Sequence, residues 1–371
     1  MNILFISHTA GAAGAETVLA DSVRRVLAHT GHRVFVALPK DGNDAFIQLL
    51  GVASDQCTIA HFAYRPVRHT WLLALRNLGY GWLFGLWKLK RFIIRNDIDL
   101  VYVNSSVNVI GIWAAQQTKR PYIWHIHEQS TALHRWAPVG MRNWYVRRLS
   151  DSSCRSIFVS QISYQAWLED LGVESIQASR VVYSAYHTPK PAGRANDPVF
   201  TFGFLGSLTA NKNVERLIAA FKLMSNQDCR LIIAGDGPER GRLQAVCEGD
   251  TRIEFMGHVE QAQEFLDRID ALAIVSFNES WGLVVLEAMS ASKPTIVTRN
   301  TGLVELFTDR KECLFVDPNS EVEIKAAMEK IASDAILRKR LVVNARNLLS
   351  SMEINESYTR AILDLIDETK A

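Results

Sequence analysis

Short apolar runs recur along the chain, each followed by a small-residue or polar loop and then by apolar positions at helical spacing. In the first half these runs are Asn2–Ser7, Arg33–Leu38, Leu100–Asn104, Pro121–Glu128, Ser156–Ser160 and Arg180–Ser184. In the second half they are Val199–Gly206, Arg230–Ala234, Ile253–Gly257, Ala271–Val275, Pro294–Thr298 and Glu312–Pro318. Nearly continuous apolar runs of this length suit parallel strands buried on both faces, and the alternation with helical patterns predicts an α/β fold. From His187 to Pro198 the rhythm stops in a polar stretch carrying three prolines. Such a stretch reads as a linker, so the pattern predicts two doubly wound, Rossmann-like domains over residues 1–186 and 199–352. The last amphipathic helix, within 353–371, is expected to pack back on the first domain.

Ligands of doubly wound sheets gather where strand gives way to helix at the carboxyl edge. The stretch Ser276–Met289, which follows the run Ala271–Val275, is such a place and carries two carboxylates. Glu287 is the only ionisable side chain between Ser280 and Ser292, among Val284, Val285, Leu286, Ala288 and Met289. A charge so placed calls for a partner or a ligand that donates to it. Glu279 stands just before the helix, and eight residues at about 1.5 Å each set it on the order of 12 Å from Glu287. That spacing suits a nucleotide's ribose at one end and a sugar on its diphosphate at the other, with first-turn amides between them for phosphate. A plainer reading leaves a helix-start acid and an ion-paired helix acid. In the first loop of the same domain Lys212 precedes a helix, where a cation and a helix start would together suit a diphosphate. Alone, Lys212 reads equally as a solvated loop lysine.

The first half opens as strand, small-residue loop and helix, with Gly11 and Gly14 letting backbone approach a ligand. The glycine spacing is not that of a dinucleotide fingerprint, and no acid ends the second strand to hold a ribose. His125 and His127 alternate onto one face at the end of a strand with Glu128 beyond them; they serve either a structural pairing with that acid or contact with a hydroxyl. Asp97-Ile-Asp99 precedes a strand rather than following one, which makes it a helix-to-strand turn, and no metal is assigned to it. Between Arg65 and Arg95 aromatic and basic residues fall into two helical stripes. Trp71, Leu75, Leu78, Trp82, Leu86, Leu89 and Ile93 make a core face, while Leu73, Arg76, Tyr80, Phe84, Trp87, Arg91 and Arg95 mark a second face, which either meets lipid headgroups or an amphiphilic substrate or belongs to an ordinary buried helix pair. Glycines 79, 81 and 85 leave open one helix or two with a break.

Composition narrows the classes. A formal charge of +2 with acids and bases interspersed gives no reason for a nucleic-acid partner. The five cysteines are widely spaced, odd in number and without metal-ligand pairing, as expected of reduced thiols in a cytoplasmic protein. The chain opens on a strand pattern rather than a basic, then apolar, cleavable leader, and the interrupted segment Trp71–Trp87 makes a poor spanning helix.

The Gly-Ala-Glu at Gly14, Gly-Asp-Gly-Pro at Gly235, Met-Gly at Gly257 and Glu279-x7-Glu287 followed by Ala-Met resemble the retaining GT-B glycosyltransferases of family 4, the group 1 glycosyltransferases. The similarity covers nearly the whole chain. It implies two Rossmann-like domains facing a central cleft, no metal or other cofactor, and a UDP- or GDP-linked sugar donor held mainly by the second domain. The acceptor, a glycan or lipid-linked saccharide, would be held by the first domain. Carried over by position, Glu287 would hold the ribose and Glu279 would lie at the anomeric carbon. Backbone amides at Trp281, Gly282 and Leu283 would hold sugar or phosphate oxygens, and Lys212 would neutralise the leaving diphosphate. Gly14 would close on the phosphates, and His127, with His125 as second choice, would touch the donor sugar. The resemblance thus implies Glu279, His127 and Lys212 as catalytic, while the aromatic and basic residues 65–95 themselves make a lipid-linked or envelope polysaccharide acceptor the expectation, with peripheral contact at the inner face of the membrane through them.

The chain departs from the family pattern at several positions. Ser207 replaces the usual arginine, Tyr183-Ser184-Ala185 an asparagine-glycine, Thr301-Gly302 a glycine pair and Cys313 a common glycine. These keep two alternatives open: a silent nucleotide-sugar-binding or assembly protein of the same fold, and an epimerase of free nucleotide sugars.

Overall fold

A computed structural model describes residues 1–40, 45–53, 55–63, 80–129, 141–190, 199–225 and 228–369. Most of the linker, 191–198, and the aromatic-basic residues 65–79 lie outside the described residues. The chain divides into two units, Met1–Ala185 with Ile354–Ala371, and Tyr186–Glu353.

In the first unit the elements run β1 (Asn2–Ile6), α1 (Gly14–His29), β2 (Arg33–Pro39), α2 (Ala45–Leu50), β3 (Cys57–Phe62), α3 (Tyr80–Arg95), β4 (Leu100–Asn104), α4 (Val109–Gln117), β5 (Tyr122–Ile126), α5 (Met141–Leu149), β6 (Cys154–Phe158), α6 (Gln161–Leu171) and β7 (Ser179–Val181). The strands form one parallel sheet ordered β3-β2-β1-β4-β5-β6-β7. Every residue of β4 and β5 is buried, as strands covered by helices on both faces must be. The open question over α3 has a single answer among the described residues, where Tyr80–Arg95 is one continuous helix through Gly81 and Gly85. Its buried face, Leu86, Leu89 and Ile93, joins the core and offsets the glycines' lower helix propensity. Asp97 lies in a left-handed turn at φ 46°, and the Asp99 carboxylate accepts from the Asn2 amide at 2.7 Å, tying that turn to β1.

The second unit runs β8 (Phe200–Leu205), α7 (Val214–Lys222), β9 (Cys229–Ala234), α8 (Arg240–Val246), β10 (Ile253–Gly257), α9 (Ala262–Leu266), β11 (Ala271–Ile274), α10 (Leu283–Ser290), β12 (Thr295–Thr298), β13 (Leu314–Val316), α11 (Glu321–Ser333) and α12 (Ala335–Met352). Its parallel sheet is ordered β10-β9-β8-β11-β12-β13. Glu353, left-handed at φ 47°, ends α12, and the chain enters α13 (Ile354–Glu368), which belongs to the first unit. There Tyr358 is buried with its hydroxyl 2.6 Å from Ser22 of α1, and Arg25 donates to the Asn355 carbonyl at 2.8 Å.

The glycines of Gly235-Asp-Gly-Pro238 have a steric reason. Gly235 sits at φ 126°, and a methyl group there would lie 1.9 Å from the Gly206 carbonyl oxygen; at Gly237 it would lie 2.4 Å from that of Leu208. The turn therefore presses directly under the loop that follows β8. We predict that Gly235→Ala lowers the thermal midpoint by roughly 5–10 °C, since a strained backbone and a clash together cost a few kcal/mol. A midpoint equal to the parent's in calorimetry would contradict the packing argument.

Candidate functional site

In each unit the sheet changes winding direction between its first and fourth strands, β1 and β4 or β8 and β11, so the loops after those strands border a crevice at the carboxyl edge. In the second unit the loop after β8 makes a turn of 3-10 helix at Ala210–Lys212 and reverses at Asn213, φ 55°. Asn213 donates to the carbonyls of Val275, 3.1 Å, and Pro318, 2.7 Å. Asn211 donates to the Asn278 carbonyl at 2.8 Å and accepts the Phe277 amide at 2.8 Å, so the loops after β8 and β11 are laced together.

That lacing brings Lys212 Nζ to 2.6 Å from Glu279 Oε2, which also accepts from Ser276 Oγ at 3.3 Å. The sequence reading gave these side chains separate tasks; the structure places them in contact. Both are partly accessible, at 23% and 17%. Behind the pair the Glu279 amide donates to Asn300 and its carbonyl accepts from Gly302, forming a bridge to Thr301. Thr301 fixes this side of the site: its hydroxyl donates to the Trp281 carbonyl at 3.3 Å and accepts the Leu303 amide.

Gly282, left-handed at φ 99°, precedes α10, and no side chain caps that helix. Among the described residues, the amides of Leu283 and Val284 have no intramolecular acceptor. Because the helix starts only at Leu283, the stretch from Glu279 to Leu283 is loop, and the spacing of about 12 Å expected for continuous helix does not apply. Glu287 lies on α10 between buried Leu286 and Ala288 and is 9% exposed. Burial alone pushes its carboxyl up to about 7, and no cation lies against it among the described residues. Ser207 is exposed. The helix after the turn beneath its loop, α8, opens on a cation that the sequence reading passed over, Arg240, held 3.0 Å from Asp236 of that turn.

In the first unit Gly14 is exposed and begins α1 instead of lying in the loop before it. His127 is half-buried, its Nε2 2.8 Å from the Asn104 side-chain oxygen. Burial, opposed by Glu128 and aided by His8, holds the ring well below the usual histidine range, so it is neutral at pH 7. His125 is fully buried, its Nδ1 2.7 Å from the Tyr102 hydroxyl, with its ring centroid 4.0 Å from that of His127. It is sealed from any ligand and is no second choice for one; it backs His127 instead. Glu128 accepts hydrogen bonds from Ser105, from the Ser106 amide at 3.0 Å and from the His127 amide at 3.2 Å, and interacts electrostatically with the His127 ring. Burial raises the Glu128 carboxyl, but His127 and these donors outweigh it and hold it below the usual range.

One group was quoted in the sequence but given no role. Glu16 on α1, 1% exposed, accepts from Thr9 at 3.0 Å and lies 3.2 Å from His8 Nδ1. Burial raises its carboxyl against the pull of His8 and Thr9. The signal for it was an acid on the apolar face of the first helix.

Similarity to known proteins agrees with this architecture. Residues 12–188 match the family described as Glycosyltransferase Family 4, and residues 189–348 match Glycosyl transferases group 1. The lipopolysaccharide core biosynthesis glycosyltransferase LpsD of Rhizobium meliloti is 26% identical over 333 residues, 87% of this chain and 93% of that protein. Among solved structures, Anabaena Alr3699/HepE in complex with UDP-glucose superposes with a TM-score of 0.82 at 20% identity, covering 99% of this chain and 100% of that one. WaaG, a glycosyltransferase involved in lipopolysaccharide biosynthesis, gives 0.71 at 14% identity, with 97% and 98% covered. The two abutting matches, over two Rossmann-like sheets of the GT-B type, place the chain in the group 1 glycosyltransferases of family 4.

Proposed function

We propose that the protein is a retaining, metal-independent transferase that moves a sugar from a nucleotide-sugar donor to a saccharide acceptor in cell-envelope polysaccharide synthesis. The observation that carries this reading is the Lys212–Glu279 pair at the winding reversal of the second unit, beside the uncapped start of α10. A donor diphosphate would draw Lys212 from Glu279 and rest on the Leu283 and Val284 amides, while Glu287 accepts from the ribose hydroxyls. As the bond from the anomeric carbon to phosphate breaks, Lys212 and the amides stabilise the charge gathering on the diphosphate. The acceptor oxygen attacks from the same face and passes its proton to the departing phosphate oxygen. Glu279 lies nearest the reacting carbon, and neutral His127 donates or accepts at a sugar hydroxyl.

A relative in lipopolysaccharide core synthesis and a structural neighbour complexed with UDP-glucose favour a glycan or lipid-linked acceptor and a UDP-linked donor over a GDP-linked one. Calorimetric titration tests the donor site. UDP is expected to bind saturably at one site, at least about tenfold more tightly than GDP or ADP, a margin of 1.4 kcal/mol; binding of none of the three would remove the reading. The exposed Ser207, without the cation usual there, favours one second reading, a protein that binds nucleotide sugars without transfer. Saturable donor binding with no turnover across donors and acceptors would select it.

A further inference from the structure

Helix α3 presents a face that the described residues of its unit leave uncovered. Leu83, Phe84, Trp87 and Ile94 are 60, 49, 51 and 60% exposed, and they are all of the first unit's large apolar side chains so exposed among the described residues. The helix cannot bury them by rolling, because Leu86, Leu89 and Ile93 on its other side are already in the core. At ~100° per residue the exposed positions share about 140° of arc, with Leu83, Ile94 and Trp87 along one edge and Lys88, Arg91 and Arg95 along the other.

The charge on this face is of one sign. Tyr80–Arg95 contains Lys88, Lys90, Arg91 and Arg95 and no acid, in a chain whose formal charge is only +2. With no carboxylate on the helix to meet, the cations lie over rings. Lys88 Nζ is 4.3 Å from the Phe84 ring centroid and the Arg91 guanidinium 5.6 Å from that of Trp87, the two rings being stacked 5.9 Å apart. Cations beside half-exposed rings, next to branched apolar residues, form a platform that meets headgroup phosphate with its charges and the acyl boundary with its rings.

We propose that this face of α3 docks the protein on an anionic bilayer, the helix lying in the plane of the surface. The charge decides the occupant: three cations on the face, with Lys90 beside it and no acid on the helix, are repelled by a second copy of the same face, whereas an anionic leaflet attracts each of them. No helix among the described residues is long and apolar enough to cross a membrane, so the contact is peripheral. The proposal does not depend on the transferase reading, and titration with UDP reports on that reading separately.

Flotation of the full chain with vesicles tests it. The parent should float at low salt with vesicles of phosphatidylcholine and phosphatidylglycerol, stay down with phosphatidylcholine alone, and be released by high salt. Lys88→Glu/Arg91→Glu/Arg95→Glu should lower the partition at least about 100-fold, and Leu83→Ser/Trp87→Ser/Ile94→Ser at least about tenfold, both with parental circular dichroism and UDP binding. Failure of the parent to float on anionic vesicles at low salt overturns the proposal, as does parental flotation by the charge-reversed variant. Conversion of a dimeric parent to a monomer by these variants in size-exclusion chromatography would assign the face to a second copy and overturn it too.

Discussion

Lys212→Ala and Glu279→Ala are each expected to lower kcat by about 10²–10³-fold, the loss seen when one preorganised group facing developing charge is removed. The two should part in binding. Lys212 meets the diphosphate in the ground state as well as in the transition state, so its loss also weakens UDP. In the donor-free protein Glu279 competes for Lys212 at 2.6 Å, so its removal frees the cation and should leave UDP affinity unchanged or improved. The pair is mostly buried, so each single variant leaves a charge without its partner, and parental circular dichroism and thermal midpoint are required before turnover is compared. The laced backbone around it, from Asn211 to Asn278 and from Glu279 to Thr301, does not use the two side chains. A double variant closes the cycle: losses that fail to add identify one working unit. Turnover equal to the parent's in both single variants, with calorimetry showing UDP bound, would make the pair a structural ion pair and move the chemistry elsewhere.

How much of this was legible in the sequence depended on whether a residue's partner lay near it in the chain. Strands such as β4 and β5 showed as continuous apolar runs because helices cover both their faces. The edge strand β3 was missed because only its end residues, Cys57 and Phe62, are buried, and Thr58 and His61 between them break the apolar run. Helix α4 was missed for the opposite reason: it is apolar nearly all round and offers no period. The contact of Lys212 with Glu279 spans 67 positions and needs β8 beside β11; alternation predicts loops at one edge but not two side chains in touch. At the histidines, alternation correctly put His125 and His127 on one side, yet only the neighbouring strand's Tyr102 shows that the first is sealed. Glu287 was legible because a lone acid in an apolar helix needs an explanation wherever it falls.

Glu287→Gln should separate stability from binding in opposite directions. In the free protein the carboxyl sits at about 7, raised by burial from an ordinary 4.5. The folded state therefore holds its proton more tightly than the unfolded state, and stability falls as pH rises from about 4.5 to about 7, then levels. A shift of that size corresponds to a decline on the order of 3 kcal/mol, and the glutamine variant, having no proton to lose, should lack it. Ligand binding should run the other way. Ribose hydroxyls that donate to the carboxylate favour its charged form, so UDP binding releases a proton and affinity climbs from pH 6 to pH 8, by up to about tenfold per unit below 7. Glutamine offers a weaker acceptor, and hydrogen bonds to charged groups contribute about 1.5–3 kcal/mol each, so its UDP affinity should drop at least about tenfold and lose the pH dependence. Thermal midpoints of the nucleotide-free proteins at pH 5 and pH 8, with titrations in two buffers of different ionisation enthalpy to count the proton, read both effects. An acid serving only packing predicts the reverse: the glutamine variant would bind UDP as the parent does, and no proton would leave.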